Sequence, residues 1–250
     1  MERDERWKGG SDRMSLGAEI REKASALGIE IELDAEALFE RHAALVEEWN
    51  QMLNLTRIPK EEVADKHFLD SLTVLLVPEV ANATRLVDVG SGAGFPGIPL
   101  KVARPDLNVT LVDSLGKRVK FLETVIEALS LQRISCFHAR AEEIGRHREH
   151  RESYDVAMGR AVAKLPVLCE YLLPLVRVGG VMVAMKGPTG RDEVDEAKGA
   201  LRTLGGQVGK IVDTSLPGGD MRQLIVIKKV TKTPPAYPRR AGMPDKAPLQ

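Results

Sequence analysis

The stretch most able to do chemistry is Arg85 to Gly97, RLVDVGSGAGFPG. Leu86-Val87-Asp88-Val89 has the apolar, β-branched character of a short buried strand, and it runs directly into glycines at 90, 92, 94 and 97. Glycine takes positive φ and has no side chain to hold a ligand off the backbone, so a strand, a glycine loop and a helix in that order make a cofactor cradle. Three cofactors compete for it. A nucleoside triphosphate loop needs Lys-Ser or Lys-Thr after the glycines, and neither follows. A dinucleotide fingerprint can be spelled by Gly92, Gly94 and Gly97, but its third glycine belongs inside a helix, and here Pro96 and Pro99 flank it. Asp88 would also sit beside a pyrophosphate. The third pattern, Gly90, Gly92 and Gly94 after an acidic strand end, suits S-adenosylmethionine (SAM), which carries no phosphate and whose amino group is cationic. The loop favours SAM and leaves the dinucleotide open.

In open α/β sheets ligands bind outside the carboxyl ends of the strands, so further candidates are collected there. After the first strand come Asp88, Gly90, Gly92, Gly94 and Phe95. Asp113 ends the second, about twenty residues beyond the glycines, where an acid can accept both ribose hydroxyls of an adenosine. Ala141 and Glu142 follow the third strand, placed to flank an adenine. Met158-Gly159-Arg160-Ala161 follows the fourth and Lys186-Gly187-Pro188 the fifth. The fourth position is informative for what it lacks. It has no Asp- or Asn-Pro-Pro-aromatic run of the kind amino-group methyltransferases use, and no cysteine nucleophile of the cytosine-C5 kind. Arg160 stands there instead. An acceptor atom that needs neither a base nor a covalent nucleophile fits, and guanine N7 is one: its lone pair is free and methylation removes no proton. Such an in-line displacement gains much of its barrier reduction, up to roughly 7–11 kcal/mol, from orientation. Arg160 could hold guanine O6 while N7 faces the methyl group. The plainer alternatives are an ordinary ion-pair arginine at 160, a helix cap at Asp113, and a solvated face at Glu142 and Glu143. His67 reads as a satisfied helix residue. His147 and His150 suit a charged loop better than a metal site.

These residues need elements to place them. Residues 1–13 are charged and are predicted to be a disordered extension. Residues 14–80 are predicted to be a helical cap: one helix over 19–27, a second over 35–53 with Asp34 as its N-cap and Asn54 at its end, then an apolar run with His67, Asp70 and Ser71. From residue 81 to 230, strands (85–89, 109–113, 134–138, 154–158, 181–185, 208–212 and 224–227) alternate with helices, including 117–129 capped by Ser114 and 191–204. The last two strands are joined without a helix, which implies an antiparallel final hairpin. Residues 231–250 hold five prolines and are predicted to be an extended, basic tail.

The chain has 250 residues, zero formal net charge and two cysteines, Cys136 and Cys169, each in an apolar run. One large α/β unit with a cap fits that length. Two unpaired apolar thiols suit a reducing compartment, no run is long enough to span a bilayer, and the charged N-terminus is unlike a signal peptide, so a cytoplasmic location is expected. With zero net charge, any nucleic-acid partner must be met by local positive charge.

Together, NLT at 54–56, HFLDSL at 67–72, LVDVGSGAGFPGIPLKV at 86–102, RPDLNVTLVDSLGKRVKFL at 104–122, GRA at 159–161, MKG at 185–187, Arg222 before LIVIKK, and YPRRAGMPDKAPL near the end resemble the glucose-inhibited division protein B (RsmG) family. These are guanine-N7 methyltransferases of small-subunit rRNA, and the resemblance covers about 14–250. It implies a Rossmann-like, class I SAM-dependent methyltransferase fold with a mostly parallel seven-stranded sheet. It also implies SAM contacts at Gly90, Phe95, Ala141, Glu142 and Arg160, and methylation of a guanine in the decoding region of 16S rRNA. The substrate partner would be 16S rRNA or the small ribosomal subunit, with no metal, no membrane and a monomeric enzyme. Candidate RNA contacts are Arg57, Lys117, Arg118, Lys186, Arg222, Arg239 and Arg240. Residues 228–246 carry six Lys or Arg against one Asp. A tail strapped onto the domain's own surface is the alternative use of that segment. The loop from Asn54 to His67 is one residue shorter than the family pattern, and residues 1–13 have no counterpart in it. Outside this family remain a SAM methyltransferase of small molecules or proteins, a nicotinamide-dependent oxidoreductase, and a non-catalytic RNA-binding factor.

Overall fold

A computed structural model describes residues 14–250, so the 1–13 extension lies outside the described residues. Seven strands form one sheet: β1 (Arg85–Val89), β2 (Asn108–Asp113), β3 (Ile134–His138), β4 (Tyr154–Arg160), β5 (Val176–Lys186), β6 (Gly206–Ser215) and β7 (Met221–Lys229). Their order is β3-β2-β1-β4-β5-β7-β6. β1 to β5 run parallel, and β7 is antiparallel to both β5 and β6. The strand direction is thus reversed only at β7, as the helix-free link before it implies. The central strands are buried on both faces, and near-continuous apolar runs such as Val181 to Ala184 are what that burial demands.

The chain begins with two amphipathic helices, α1 (Leu16–Ala26) and α2 (Ala35–Leu53). Ser15 caps α1, its hydroxyl accepting from the Ala18 amide. Asp34 does not cap α2: it is itself in helical conformation and makes no capping bond. Asn54 ends α2 in the left-handed conformation, which asparagine tolerates. The next segment bends repeatedly. A 3₁₀ turn (Lys60–Glu62), a π-helical turn (Ala64–Leu69), α3 (Asp70–Leu72), a second 3₁₀ turn (Thr73–Leu76) and α4 (Pro78–Ala81) bring it to β1. The wide turn falls on His67 and leads into Asp70, and such turns often sit at functional sites.

These helices are not a separate lobe. Ile20, Phe39, Val46, Phe68 and Leu72 share one buried cluster with Ile98 and Phe121 of the flanking helices and with Leu111, Val156 and Val183 of the sheet. α5 (Gly97–Ala103) and α6 (Gly116–Ala128) complete that face. Ser114 does not cap α6; Leu115 precedes it, and Asp113 instead accepts from the Leu115 amide. The opposite face is covered by α7 (Ala141–Ile144), α8 (Leu165–Leu172), α9 (Glu193–Glu196) and α10 (Lys198–Leu204). The single helix expected over 191–204 is therefore a 3₁₀ turn and two short helices. The Gly179-Gly180 turn interrupts β5 from within and shifts its register against β4. The tail is not a free extended segment. It packs on α7 and α8 and ends in one helical turn, α11 (Met243–Lys246).

Candidate active site

The glycine loop turns where the side-chain-free positions let it. Gly90 and Gly92 have φ of +77° and +57°, and a Cβ on Gly90 would come within 2.8 Å of the Val162 side chain. Two acids hold the loop. Asp113 accepts from the Gly92 amide through Oδ2 and from the Leu115 amide through Oδ1, both at 2.9 Å. Asp88 accepts from the Gly97 amide at 3.0 Å. Its other oxygen is buried without a partner, and burial pushes the carboxyl up to about 7 against the pull of the Gly97 amide. Asp88 lies beneath the loop and does not line the cavity above it, so it braces the loop rather than reaching for a ligand directly.

A third hold on the loop comes from α2, and the sequence reading did not see it. His42 is fully buried and its Nε2 lies 2.9 Å from the Ala93 carbonyl, so that nitrogen carries the proton. Burial pushes its pKa down to about 4, and the ring stacks on Phe95 with centroids 4.7 Å apart.

The cavity above the loop has a volume of about 410 Å³. Gly90, Gly92 and Phe95 form one wall, Arg118 stands at the glycine end, and Arg160 and Arg222 close the other end. A second cavity of about 260 Å³ continues beyond Arg160 and Asp70 towards Lys186. Where the two meet, a polar cluster joins the helical segment to the sheet. The Arg160 guanidinium donates to Asp70 Oδ2 at 2.8 Å and to the Lys66 carbonyl at 2.9 Å, and lies 3.0 Å from His67 Nδ1. It also stands over the Phe95 ring, 5.4 Å from its centroid. Asp70 Oδ1 accepts from Arg222 Nε at 2.8 Å, so one carboxylate joins two arginines.

His67 lies flat on Phe95, with centroids 4.3 Å apart and planes 5° apart. Arginine can only donate, so His67 Nδ1 accepts and Nε2 carries the proton, which it gives to Thr56 Oγ1 at 2.6 Å. Burial and the Arg160 charge push its pKa down to about 3 and keep the ring neutral. His67 is thus a satisfied residue of the helical segment, as read, and its two partners tie it into the cluster. The available signal was spacing: His67 and Asp70 are three apart, on one helix face, inside an apolar run.

The other sequence-selected residues divide. Asp113, Gly90, Gly92, Phe95, Arg118, Arg160 and Arg222 come together around the glycine loop. Gly94 turns the loop at φ +88° and packs against Ile98. Lys186 lines the second cavity, with its ammonium on Glu193 and the Ala163 carbonyl. Ala141 and Glu142 follow β3, but the Glu142 side chain turns away to accept from the Gly242 amide at 2.7 Å. Arg239 is not presented to a ligand. It grips buried Glu170 through Nε and Nη2, at 2.9 and 2.6 Å. Arg240 is exposed. Cys136 and Cys169 lie outside both cavities. Burial pushes both thiols up, Cys136 to about 12, so neither is a ready nucleophile. Among the described residues no group of His, Cys, Asp or Glu is arranged to hold a metal, and no helix is long and apolar enough to cross a membrane.

The strand order with its reversed β7, the glycine loop after β1 and the acid closing β2 define a class I SAM-dependent methyltransferase. Solved structures share this fold. MtNAS in complex with S-adenosylmethionine superposes with a TM-score of 0.52 at 17% identity, over 85% of this chain and 77% of that one. An O-methyltransferase family protein from Burkholderia thailandensis gives 0.50 at 15% identity, over 80% and 61%. Within the class, the chain belongs to the rRNA small subunit methyltransferase G (GidB) family, whose model matches residues 35–224. It is 48% identical over 233 residues to ribosomal RNA small subunit methyltransferase G of Desulforamulus reducens, covering 92% of this chain and 97% of that one. It is 49% identical over 230 residues to the same-named protein of Acetivibrio thermocellus, covering 91% and 94%.

The site fits SAM. The loop admits a ligand against bare backbone at Gly90 and Gly92, and Asp113 has lone pairs to spare for ribose hydroxyls. Asp88 keeps a buried, unpartnered oxygen under the loop, which an ammonium group seated above would favour in its charged form.

Proposed function

We propose that this chain transfers the methyl group of SAM to N7 of a guanine in the decoding region of 16S rRNA. Bound SAM supplies an electrophilic methyl group on a sulfonium. The observation that carries the N7 reading is the chemistry of the cavity junction. Arg160, Arg222, Asp70 and His67 are the polar groups there, and none is a free base. Asp70 is tied to two arginines, and both nitrogens of neutral His67 are engaged. An amino or ribose hydroxyl acceptor would need help to lose a proton, whereas guanine N7 loses none.

The chain's contribution is then orientation and charge. Gly90, Gly92, Asp113 and Arg118 hold the cofactor's end of the cavity, with Ala141 and Glu142 beside the adenine. Phe95 offers a flat apolar wall. Arg160, fixed at its own distances from three partners, presents donors to the guanine O6 edge, leaving N7 to face the methyl group. Transfer would break the S–CH₃ bond and move the sulfonium's positive charge onto the guanine as N7–CH₃ forms, a charge that an Arg160 already paired with Asp70 would oppose less than a free guanidinium. Arg57 and Lys117, both exposed, would meet backbone phosphates around the mouth, with Arg118, Lys186, Arg222 and Arg240 as further contacts.

The test is methyl transfer from labelled SAM to small-subunit rRNA that lacks base modifications, offered naked and as the assembled subunit. Reduction and strand scission then cut only at N7-methylguanine. One strong cut in the decoding region is the expected result. Label without scission would reject N7 while keeping the methyltransferase, and SAM binding without transfer to any RNA would move the acceptor elsewhere.

A further inference from the structure

β7 runs against β1, β4 and β5, so it ends at the edge of the sheet away from the glycine loop. Residues 231–250 nevertheless return to the loop's side, and they do so through a chain of specific contacts. Near the start, the Thr233 amide donates to Glu152 at 2.7 Å and the Lys229 ammonium donates to Thr233 Oγ1 at 2.5 Å. Next, Arg151 donates to the carbonyls of Thr233 and Tyr237, at 2.8 and 2.7 Å, and Arg146 to that of Pro238 at 2.7 Å. Arg239 then grips Glu170 of α8, which is fully buried. Finally the Gly242 amide reaches Glu142.

That last contact falls on the segment placed beside the cofactor's adenine. α7 has four residues, too few to hold their position by their own hydrogen bonds. Besides the Glu143 cap on the Arg140 amide and the Arg151 bond to the Gly145 carbonyl, its fixed points are Ile144 in the apolar core and the Glu142 carboxylate, both 3% exposed. A buried carboxylate needs a partner, and the tail supplies one. The fit allows little slack, since a Cβ on Gly145 would lie 3.0 Å from the Pro238 ring.

We propose that residues 231–250 are a strap that positions the adenine side of the cofactor site, with Glu142 as the buckle and Arg239 as its anchor. The proposal rests on the reading of Ala141 and Glu142 as adenine neighbours. It gives the basic tail a task in cofactor affinity, separate from RNA contact. Thermodynamic linkage makes the coupling reciprocal: if the strap raises SAM affinity, SAM tightens the strap.

The experiment uses the full chain and SAM itself. Equilibrium binding of labelled SAM is measured for the wild type and for Glu142→Ala, Glu142→Gln and Arg239→Ala, each below its melting temperature. Glu142→Ala and Arg239→Ala should weaken SAM binding about tenfold, the worth of a charge-assisted hydrogen bond. Glu142→Gln keeps an acceptor oxygen for the Gly242 amide and should recover part of the affinity that Glu142→Ala loses. In turnover the loss should fall on the SAM KM rather than on kcat. Should Arg239→Ala not fold, hydrogen exchange on the wild type decides alone: SAM should slow exchange of the Arg239 and Gly242 amides. Unchanged SAM affinity in folded Arg239→Ala, or exchange at those amides indifferent to SAM, overturns the strap. A loss confined to RNA affinity overturns it too, in favour of a tail that contacts RNA. A wild type that binds no SAM would overturn the cofactor reading itself, a result distinct from the others.

Discussion

Replacing Asp70 tests whether the seam between the helical segment and the sheet is what aims Arg160. The carboxylate is 7% exposed and accepts from Arg160 and Arg222, each at 2.8 Å. Asp70→Ala takes the shared carboxylate from two largely buried guanidinium groups and leaves Arg222 only the more distant Asp220, at 3.8 Å. Breaking a buried pair from one side costs about 3–5 kcal/mol. Arg160 keeps the Lys66 carbonyl and His67 Nδ1, and Arg222 keeps the Met221 carbonyl, so the lower figure, about 3 kcal/mol, is expected. For a chain of this size that lowers Tm by roughly 6–12 °C. The functional cost follows from position. Arg160 no longer has the fixed anion of the helical segment, and a misplacement of about 1 Å in an orientation-dependent reaction costs about 100-fold. Methyl transfer to unmodified small-subunit RNA should therefore lose about two orders of magnitude in kcat, measured well below the variant's Tm. Asp70→Asn should fall between, since its amide offers one arginine an oxygen and the other an NH₂ group. Adding Arg222→Ala to Asp70→Ala removes one orphaned charge and should recover about 1–2 kcal/mol of stability without restoring kcat. An Asp70→Ala protein with wild-type kcat would refute the claim that this carboxylate aims Arg160, and an unchanged Tm would refute the ledger above.

Four further outcomes follow from the geometry. His42 and His67 are held neutral in the folded chain, at about 4 and about 3 against an ordinary value of 6.5, so the unfolded chain binds the extra protons. Their contribution is whole above about pH 6.5 and is lost as pH falls, by about 1.4 kcal/mol per unit for each; urea unfolding between pH 7.5 and 4.5 should show a shallower acid slope for His67→Gln. Gly97→Ala places a methyl group against Leu111 and 2.9 Å from Asp88 Oδ2, so it should cost about 1–3 kcal/mol and weaken SAM binding, read by thermal melts and equilibrium binding. Arg239→Ala leaves the buried Glu170 carboxylate only the main-chain amide of residue 239 and should lower stability by about 3 kcal/mol in denaturant titrations. Arg240→Ala, at an exposed side chain, should change stability by less than about 0.5 kcal/mol but reduce the salt slope of RNA binding by about one.

Much of the sheet was legible because its signals are local. Buried parallel strands spell apolar runs, and a glycine loop after one of them needs no distant partner to be recognised. The errors fall where a distant group overrides a local rule. Asp34 and Ser114 have capping residue types, but Asp113 takes the Leu115 amide and α2 begins without a side-chain cap. His42 drew no reading from the sequence because its partner, the Ala93 carbonyl, is 51 residues away. Arg239 looked like an RNA contact because composition counts its charge and cannot see Glu170, 69 residues earlier in the chain. Asp88 ends an acidic strand as expected, but its carboxylate points at the Gly97 amide, a direction the residue type does not fix.

The same limit applies to electrostatics, with a consequence for how this chain meets RNA. Local positive charge was expected around the site, and the cations are there, but most carry their own anions. Lys66 has Glu62, Arg160 and Arg222 share Asp70, Lys186 has Glu193, and Arg118 lies 3.7 Å from Asp113. Among the described residues Arg57, Lys117 and Arg240 make no ion pair, and all three are exposed. A paired arginine that turns to a phosphate exchanges one anion for another and gains little from counterion release. With phosphate contacts confined to these three of the seven candidate residues, the slope of log affinity against log salt is roughly −2 to −3. Binding of so shallow a slope draws little from non-specific attraction, so discrimination would rest on the shape of a folded RNA and, on the proposed reading, on the fit of one base beside Arg160. Filter binding across a salt series tests this directly. A slope steeper than about −6 would mean that the paired arginines open to phosphate, and that the ion pairs of the free protein are exchanged when RNA binds.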